Sequence, residues 1–241
     1  TIRRFDFSGP DPARSMIREV DRLALAMTGM KHSLRRFLEI SGALSAERNF
    51  DQLLELILQE TISVAEASGG AIHLLSADGQ WLEPMASRMR DEVGDSKSLH
   101  RWRVAEADSP SADVQALHAD GTVQMVMNWH NPVQLAAYGR IFARLKVARF
   151  RLLALPLKNR QNEVVGTLTL SFAVEEGEQE GRLSPSRVAF IEALSGTAAV
   201  AIDNQMLLRA QKDLLESFIQ LVAGAIDAKS PYTGAHCQRV P

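Results

Sequence analysis

An apolar stripe with heptad spacing runs from residue 185 to residue 228, and it constrains the fold more than any other feature of the sequence. Ser184 and Pro185 mark its start, because serine caps helix N-termini and proline is tolerated at the first helical position. Such a stripe predicts a long helix that pairs with another helix along one seam. The stripe is polar only at Gln205 and Lys212; its apolar members are Ile191, Leu194, Ala198, Ala201, Leu208, Leu215, Ile219, Val222 and Ile226.

A second heptad stripe lies near the start of the chain and predicts a helix over 12–44, after a tail at 1–11. We expect the two long helices to bundle together in a homodimer. The alternative is that the first helix is simply amphipathic and lies on a globular core. A polar residue in a seam fixes register at some cost in stability. The residues predicted to form the dimer seam are Leu194, Leu208, Lys212, Leu215 and Ile219.

Composition excludes several classes of protein. With 241 residues, 46% hydrophobic and 23% charged, the chain is long enough for one sizeable globular domain with appendages. Its net charge of −2 offers no basic field for nucleic acid or for a membrane surface. The single cysteine, Cys237, excludes a disulfide framework and predicts a reducing, cytoplasmic location. Because the chain begins with Thr1 and ends at Pro241 within an unfinished motif, we expect it to be a piece of a longer protein.

Between the two stripes the pattern changes to mixed helices and strands. Asp78-Gly79 predicts a two-residue hairpin turn, because that pair readily adopts the positive φ angles such a turn needs. Residues 87–121 are polar and broken, which predicts loops with a short helix at 111–118. The other predicted elements are a helix at 50–66, strands at 71–75, 81–83 and 122–128, a helix that follows Pro132 and ends before Arg151, and strands at 152–157 and 164–172. This order predicts an α+β fold, an antiparallel sheet flanked by helices.

The last predicted strand has two different faces. Leu168, Leu170 and Phe172 fall on one face with Gly166, which suits a core. The opposite face is semi-polar and consists of Val165, Thr167, Thr169 and Ser171. One side of the sheet is therefore expected to pack against an apolar core, and the other side is expected to be semi-polar.

The middle of the chain resembles the GAF domain, the small-molecule sensor module of bacterial signalling proteins. The resemblance covers about 45–210 and is carried by FDQLLELILQETISVAEASGGAIHLLSADGQWL, FRLLALPLKNRQNEVVGTLTLSF and FIEALSGTAAVAIDNQMLL. It implies a ligand enclosed between the sheet and the segments at 87–121 and 128–146. The pocket candidates are Trp102, Trp129, His130, Tyr138 and Phe142, since pockets combine aromatic walls with a few polar groups. The alternative is that these rings are core, and His73 is interpreted as a core or surface histidine.

The C-terminus, 211–241, is similar to the opening of the HD-GYP domain, a metal-dependent phosphodiesterase family that hydrolyses cyclic di-guanylate. The string LLESFIQLVAGAIDAKSPYTGAHCQRVP carries this resemblance, which implies that His236 corresponds to a metal ligand. A catalytic metal needs about three protein ligands, and the chain ends shortly after this histidine. We therefore expect no catalytic residues in this fragment, and a divalent metal in the full-length parent.

The departures from known GAF subfamilies narrow the choice of ligand. The asparagine-lysine-x-phenylalanine-aspartate-glutamate signature of cyclic-nucleotide-binding members is absent, and Cys237 lies outside the GAF-like part, where it cannot attach a bilin. One cysteine also argues against a free methionine sulfoxide reductase, whose chemistry exchanges several thiols. The cofactor stays unknown. The sequence thus predicts a sensor and dimerisation fragment coupled to an HD-GYP-type output, the alternative being a purely structural dimerisation module without a ligand.

Overall fold

The structure, a computed structural model, describes residues 18–90, 92–94, 99–106, 109–174 and 183–229. Helices and strands alternate in a way that confirms the predicted α+β class. The helices are α1 (Arg18–Ala46), α2 (Phe50–Ala65), α3 (Ala112–Ala119), α4 (Pro132–Leu145) and α5 (Pro185–Lys229). The strands are β1 (Gly69–Leu75), β2 (Trp81–Met89), β3 (Glu92–Gly94), β4 (Trp102–Arg103), β5 (Val123–Asn128), β6 (Arg149–Lys158) and β7 (Val164–Ala173).

The strands form one antiparallel sheet in the order β3-β2-β1-β7-β6-β5, with β4 paired to β2. Strands β1 and β7 lie at its centre and approach each other closely at Gly166, which pairs with Leu74. A Cβ atom at Gly166 would lie 2.2 Å from the backbone oxygen of His73. Only glycine allows this approach, which fixes the position of His73 in the sheet.

Strand β7 shows how the sheet separates two layers. Leu168 and Leu170 are fully buried in a core that α2 and the first half of α5 complete. Thr167 and Thr169, which alternate with them, are also buried but bond to Asp113 of α3 on the opposite side. Helices α3 and α4 belong to the layer on that side. The predicted division of β7 into an apolar and a semi-polar face is confirmed.

The hairpin between β1 and β2 differs from the prediction. Residues 76–80 connect the strands, and within the described residues of this turn only Gly79 has a positive φ, of 70°. The side chain of Asp78 accepts hydrogen bonds from the Ser76 hydroxyl at 2.5 Å and from the Gln80 backbone N–H at 3.0 Å. The prediction of a two-residue turn was wrong because Asp78 stabilises the turn through its side chain and not through a left-handed backbone.

Sequence reasoning also missed part of the sheet. Strand β2 continues through Pro84 to Met89, and the short strands β3 and β4 pair with it, where loops were predicted. Pro84 lacks an N–H, and it lies opposite His73, where the β1–β2 register shifts. The irregularity absorbs the proline, so that the strand resumes beyond it.

The two long helices contact each other through the C-terminal part of α1 and the first half of α5. Phe37 of α1 packs edge-on against Phe190 of α5 at 6.3 Å, and the Gln205 side chain donates to the backbone oxygen of Glu47 at 2.9 Å. These contacts show that the two helices run in the same direction. Since α1 ends at Ala46, the second half of α5 continues past its end.

The heptad stripe of α5 therefore divides into two parts. Leu194, a predicted seam residue, is only 2% exposed and packs in the core of its own domain, which removes it from any seam with a second copy. Leu208, Leu215 and Ile219 are 57%, 58% and 56% exposed. Lys212 is exposed as well, 3.7 Å from Glu216. Heptad spacing alone does not distinguish burial against the helix's own domain from burial against a partner.

Candidate functional site

A cavity of about 510 Å³ lies on the α3–α4 side of the sheet. Its walls come from β1, β4, α3, α4, β6 and β7, together with the segment that precedes β4. The volume falls in the range of about 300–1,000 Å³ that is usual for small-molecule sites. The lining residues that bear polar or aromatic groups include His73, His100, Trp102, Asp113, Tyr138, Arg140 and Thr169.

Asp113 is the buried carboxylate of this cavity. Ser111 is the N-cap residue of α3, and its hydroxyl accepts a hydrogen bond from the Val114 N–H at 3.3 Å. Asp113 therefore lies in the first turn of this helix. Its Oδ1 accepts hydrogen bonds from the hydroxyls of Thr167 at 2.7 Å and Thr169 at 2.5 Å. The side chain is 2% exposed. The buried hydroxyl groups of β7 thus form hydrogen bonds with a carboxylate of α3.

The environment of Asp113 keeps this carboxyl ionised. Burial by itself raises the pKa of Asp113, but the electrostatic influence of the nearby His73 and the hydroxyls of Thr169 and Thr167 together outweigh it, so the pKa lies below its usual value. The N-terminal end of a helix also favours a negative charge. A fixed negative charge is therefore present at the cavity wall.

His73 lies between Asp113 and the chain segment that leads into β4. Its Nε2 is 3.2 Å from the backbone oxygen of His100, which can only accept, so Nε2 carries a hydrogen. Its Nδ1 is 3.4 Å from Asp113 Oδ1, within ion-pair distance, yet it makes no hydrogen bond with any described group. The Nδ1 edge of the ring therefore faces the carboxylate.

Aromatic rings form another wall of the cavity. The Trp102 ring lies 4.6 Å from the His100 ring and 5.8 Å from the Tyr138 ring, tilted by 46° and 38°. The Tyr138 hydroxyl accepts from the Ala112 N–H at 3.1 Å, which ties α4 to the start of α3. Burial, and next the charge of Asp113, raise the pKa of Tyr138, so the phenol stays neutral. This wall presents π faces without a charge of its own.

Of the residues predicted for the pocket, two line the cavity, one lies in the core and two are exposed. Trp102 and Tyr138 line the cavity. Phe142 is 1% exposed and packs against Phe150 at 4.6 Å, which is a core position. Trp129 is 44% exposed and touches Phe142 edge-on, while His130 is exposed and bonds to Asn128. Phe142, Trp129 and His130 do not line the cavity.

The buried polar cluster was not recognised from the sequence. His73 was interpreted as structural and Asp113 was not singled out, although both line the cavity. One usable signal was the pair Thr167 and Thr169 on one face of a strand that is mostly apolar, since buried hydroxyls need a partner. The partner lies in a different element, far away in sequence, and only the tertiary fold brings it there.

Two residues singled out in the sequence are not among those that the structure describes. They are His236 and Cys237. In the part of the chain that the structure describes, no group of three or more His, Cys, Asp or Glu residues could hold a metal ion. None of the described helices combines the length and apolar character that crossing a bilayer requires.

Solved structures with a similar fold come from several kinds of protein. The GAF domain of an Acinetobacter phosphoenolpyruvate-protein phosphotransferase superposes with a TM-score of 0.53 at 15% identity, covering 74% of this chain and 98% of that one. The corresponding domain from Coxiella burnetii gives 0.54 at 16% identity, covering 74% and 96%. A free methionine-R-sulfoxide reductase from Neisseria meningitidis, solved with its substrate, gives 0.52 at 11% identity, covering 73% and 91%. At these identities the likeness concerns the fold alone.

The family comparison is more direct. No curated protein matches the chain. The family model described as GAF domain matches residues 47–203, which include every helix and strand of the layer that holds the cavity. That span is well over half of the sequence, and it begins just before α2 and ends inside α5. The chain therefore belongs to the GAF domain family.

Proposed function

We propose that this GAF domain senses a small molecule in the cavity between the sheet and helices α3 and α4. The observation that carries the proposal is a cavity of about 510 Å³ that combines an ionised buried carboxylate, Asp113, with an aromatic wall formed by Trp102 and Tyr138. Ligand sites typically join mostly apolar walls to a few fixed polar groups. Sensing small molecules is the usual role of the family in bacterial signalling proteins.

The sheet offers a short route from the cavity to α5. Leu152 and Thr169 line the cavity, while their strand neighbours Leu153 and Leu168 pack on the opposite face in the same core as Ile191 of α5. A ligand shifts such a system only by its different affinity for two arrangements. Couplings of about 1–3 kcal/mol are typical, and about 5.5 kcal/mol is needed to reverse a population fully.

We further propose that the second half of α5 pairs with the same helix of another copy. Its exposed large apolar residues form two adjacent stripes, one with Leu208, Leu215 and Ile219 and one with Leu207, Leu214, Phe218 and Leu221. A broad apolar face of this kind suits a helical bundle and is unusual on a free surface. Lys212 falls within the first stripe, where a polar side chain can fix register.

The proposed output is an HD-GYP-type domain that follows α5. Support comes from the resemblance of residues 211–241 to the opening of that family, which implies a metal-ligand role for His236. In this proposal the full-length parent is a metal-dependent phosphodiesterase, and the present chain is its regulatory part without catalytic residues. Metal content and cyclic di-guanylate turnover of the purified chain test this division, because turnover by the present chain would contradict it.

A second candidate function is a purely structural dimerisation module. It is favoured by one observation, that Asp113 already receives hydrogen bonds from Thr167 and Thr169 and has His73 beside it. In that case the polar cluster holds α3 to the sheet and needs no ligand. The cavity then contains only water.

Native mass spectrometry separates the two candidates. We compare the purified protein with the variant Ala137→Trp, because Ala137 lines the cavity and a large ring there fills it. A small molecule retained by the unaltered protein and lost from the variant supports sensing. Equal spectra for both proteins, together with no thermal shift in a metabolite screen, support the structural module instead.

A further inference from the structure

We infer that the ligand of this cavity carries a protonated amino group, which binds at the carboxylate of Asp113. The inference rests on the proposed function, since it names the chemical class of ligand for the same cavity. Three observations carry it: the contacts that fall on one oxygen of the carboxylate, the neutral aromatic wall, and the unpartnered nitrogen of His73.

The contacts that Thr167, Thr169 and His73 make with the carboxylate of Asp113 all fall on one oxygen. An ionised carboxylate has about four acceptor positions on its two oxygens. Thr167 and Thr169 both donate to Oδ1, and His73 Nδ1 lies nearest the same oxygen. Both of these threonine hydrogen bonds thus end on Oδ1, while Asp113 itself lines the cavity. An ammonium group, which has three donors and no acceptor, complements an ionised carboxylate in charge and in hydrogen bonding.

The aromatic wall favours the same class of ligand. The faces of tryptophan and tyrosine rings attract cations, and tryptophan does so most strongly. Trp102 and Tyr138 lie side by side in the cavity wall, and the Tyr138 phenol stays neutral. A ligand with its ammonium at Asp113 therefore places its apolar body against rings that tolerate a nearby positive charge.

His73 places a buried nitrogen without a hydrogen bond beside the carboxylate of Asp113. The imidazole is 4% exposed, and its Nδ1 faces the carboxylate at 3.4 Å without a hydrogen bond. A ligand ammonium beside Asp113 would supply a positive charge next to this buried negative charge. Arg140, also at the cavity wall, is engaged in an interaction of its own.

Ligands with other head groups fit less well. A carboxylate or phosphate would lie beside a buried negative charge in a medium of low dielectric constant, where like charges repel strongly. A neutral alcohol can donate one hydrogen bond but leaves the charge unbalanced. Head-group charge is therefore the property that separates this inference from its competitors.

The experiment compares head groups on fixed bodies, with the full chain as it exists. The probes are tryptamine, indole-3-propionate and tryptophol, and the phenyl series phenethylamine, 3-phenylpropanoate and 2-phenylethanol. Affinity is measured by titration calorimetry, and the site is located by ¹⁹F NMR of protein labelled with 5-fluorotryptophan, in which Trp81, Trp102 and Trp129 report separately. We expect an amine to bind about 10- to 100-fold more tightly than its matched acid and alcohol, and to shift the Trp102 signal.

Variants assign the effect to one carboxylate. Asp113→Asn keeps the shape of the side chain and removes its charge, so we expect it to lose about tenfold or more in amine affinity. Asp120→Asn is the matched control, because Asp120 is an exposed aspartate at the other end of α3. The head-group comparison on the unaltered protein remains decisive even where Asp113→Asn folds poorly.

The outcomes separate the two proposals. If an acid or alcohol shifts Trp102 with an affinity equal to that of its matched amine, the sensor proposal stands and the amine inference is overturned. Equal amine affinity in Asp113→Asn and the unaltered protein overturns it as well. If no probe of either series shifts Trp102 at millimolar concentration, the amine inference is rejected, and native mass spectrometry then decides whether the cavity holds any ligand.

Discussion

Leu152 and Leu153 are neighbours on β6 and are equally buried, yet they face different surroundings. Leu153 belongs to the apolar core shared by α2 and α5, whereas Leu152 borders the cavity near Asp113. The same alternation separates Leu168 from Thr169 on β7. One face of the sheet therefore packs against an apolar core, whereas the other combines a second apolar cluster with a polar cluster and a cavity. The comparison predicts that mutations on the two faces change different properties.

The largest expected effect on folding is that of truncating the apolar face. Leu153→Ala should lower the free energy of unfolding by about 2–5 kcal/mol, because it removes buried methyl groups and leaves a void in the core. Leu152→Ala, the matched variant, should cost about 2 kcal/mol, since that side chain already borders open space. Urea unfolding followed by circular dichroism measures both. Equal losses for the two variants would contradict the difference between the faces.

The centre of the sheet is expected to be nearly as sensitive. Gly166→Ala places a Cβ 2.2 Å from the His73 backbone oxygen, so the two strands must separate. We expect a loss of about 1–3 kcal/mol or more in the free energy of unfolding. Gly196→Ala is the control, because nothing lies within 4 Å of that Cβ position on α5, and alanine favours a helix. Thermal unfolding should show opposite shifts for the two variants; a neutral Gly166→Ala would refute the close approach.

The buried carboxylate on the cavity side of the sheet should make the stability of the protein depend on pH. Because the folded-state pKa of Asp113 lies below its unfolded value of 3.8, the ionised carboxylate stabilises the fold above that pH. This stabilisation is lost as the pH falls through the folded-state pKa. We expect Asp113→Asn to cost about 1–2 kcal/mol at neutral pH and to flatten the acid limb of the stability curve. Urea midpoints against pH measure both, with Asp120→Asn as the exposed control; an unchanged acid limb in Asp113→Asn would contradict the assignment.

The smallest effect on folding is expected on the exposed half of α5. Lys212→Leu should change the free energy of unfolding of the domain by no more than about 0.5 kcal/mol. It should nevertheless lower the dimer dissociation constant about tenfold or more, because a leucine is added to the proposed seam. Asp213→Leu adds the same side chain on the polar face of the helix and should not strengthen the dimer. Sedimentation equilibrium measures all three proteins, and a monomer at high concentration would remove the basis for the seam.

Local pattern was sufficient for much of the fold. Periodicity predicted α2, α4, α5 and the β6–β7 pair, because each buries one stripe or one face of its own residues. It did not reveal that Leu194 faces the core while Leu215 is exposed, since both follow the same spacing. The heptad pattern shows which positions of a helix are apolar. It does not show whether they pack against the same domain or are exposed, because that depends on the tertiary fold.

The candidate site was harder to predict. Trp102 and Tyr138 were expected at the cavity because they are aromatic and lie in the covering segments. His73 and Asp113 gain their roles only through contact with each other and with β7, across wide separations in sequence. Local sequence spacing does not predict contacts between residues so far apart in the chain. A buried hydroxyl face on a strand is a signal that a polar partner exists, but it does not identify that partner.

The central claim is that occupation of the cavity changes the arrangement of α5 in a dimer. It is tested most directly by electron paramagnetic resonance distances between spin labels on the two copies, at Gln220→Cys in a Cys237→Ser background. Gln220 is exposed on the polar face of α5. We expect a bound amine such as tryptamine to shift the distance distribution, and Ala137→Trp to abolish the shift. An unchanged distribution, under conditions where the Trp102 fluorine signal shows the cavity to be occupied, would contradict the account.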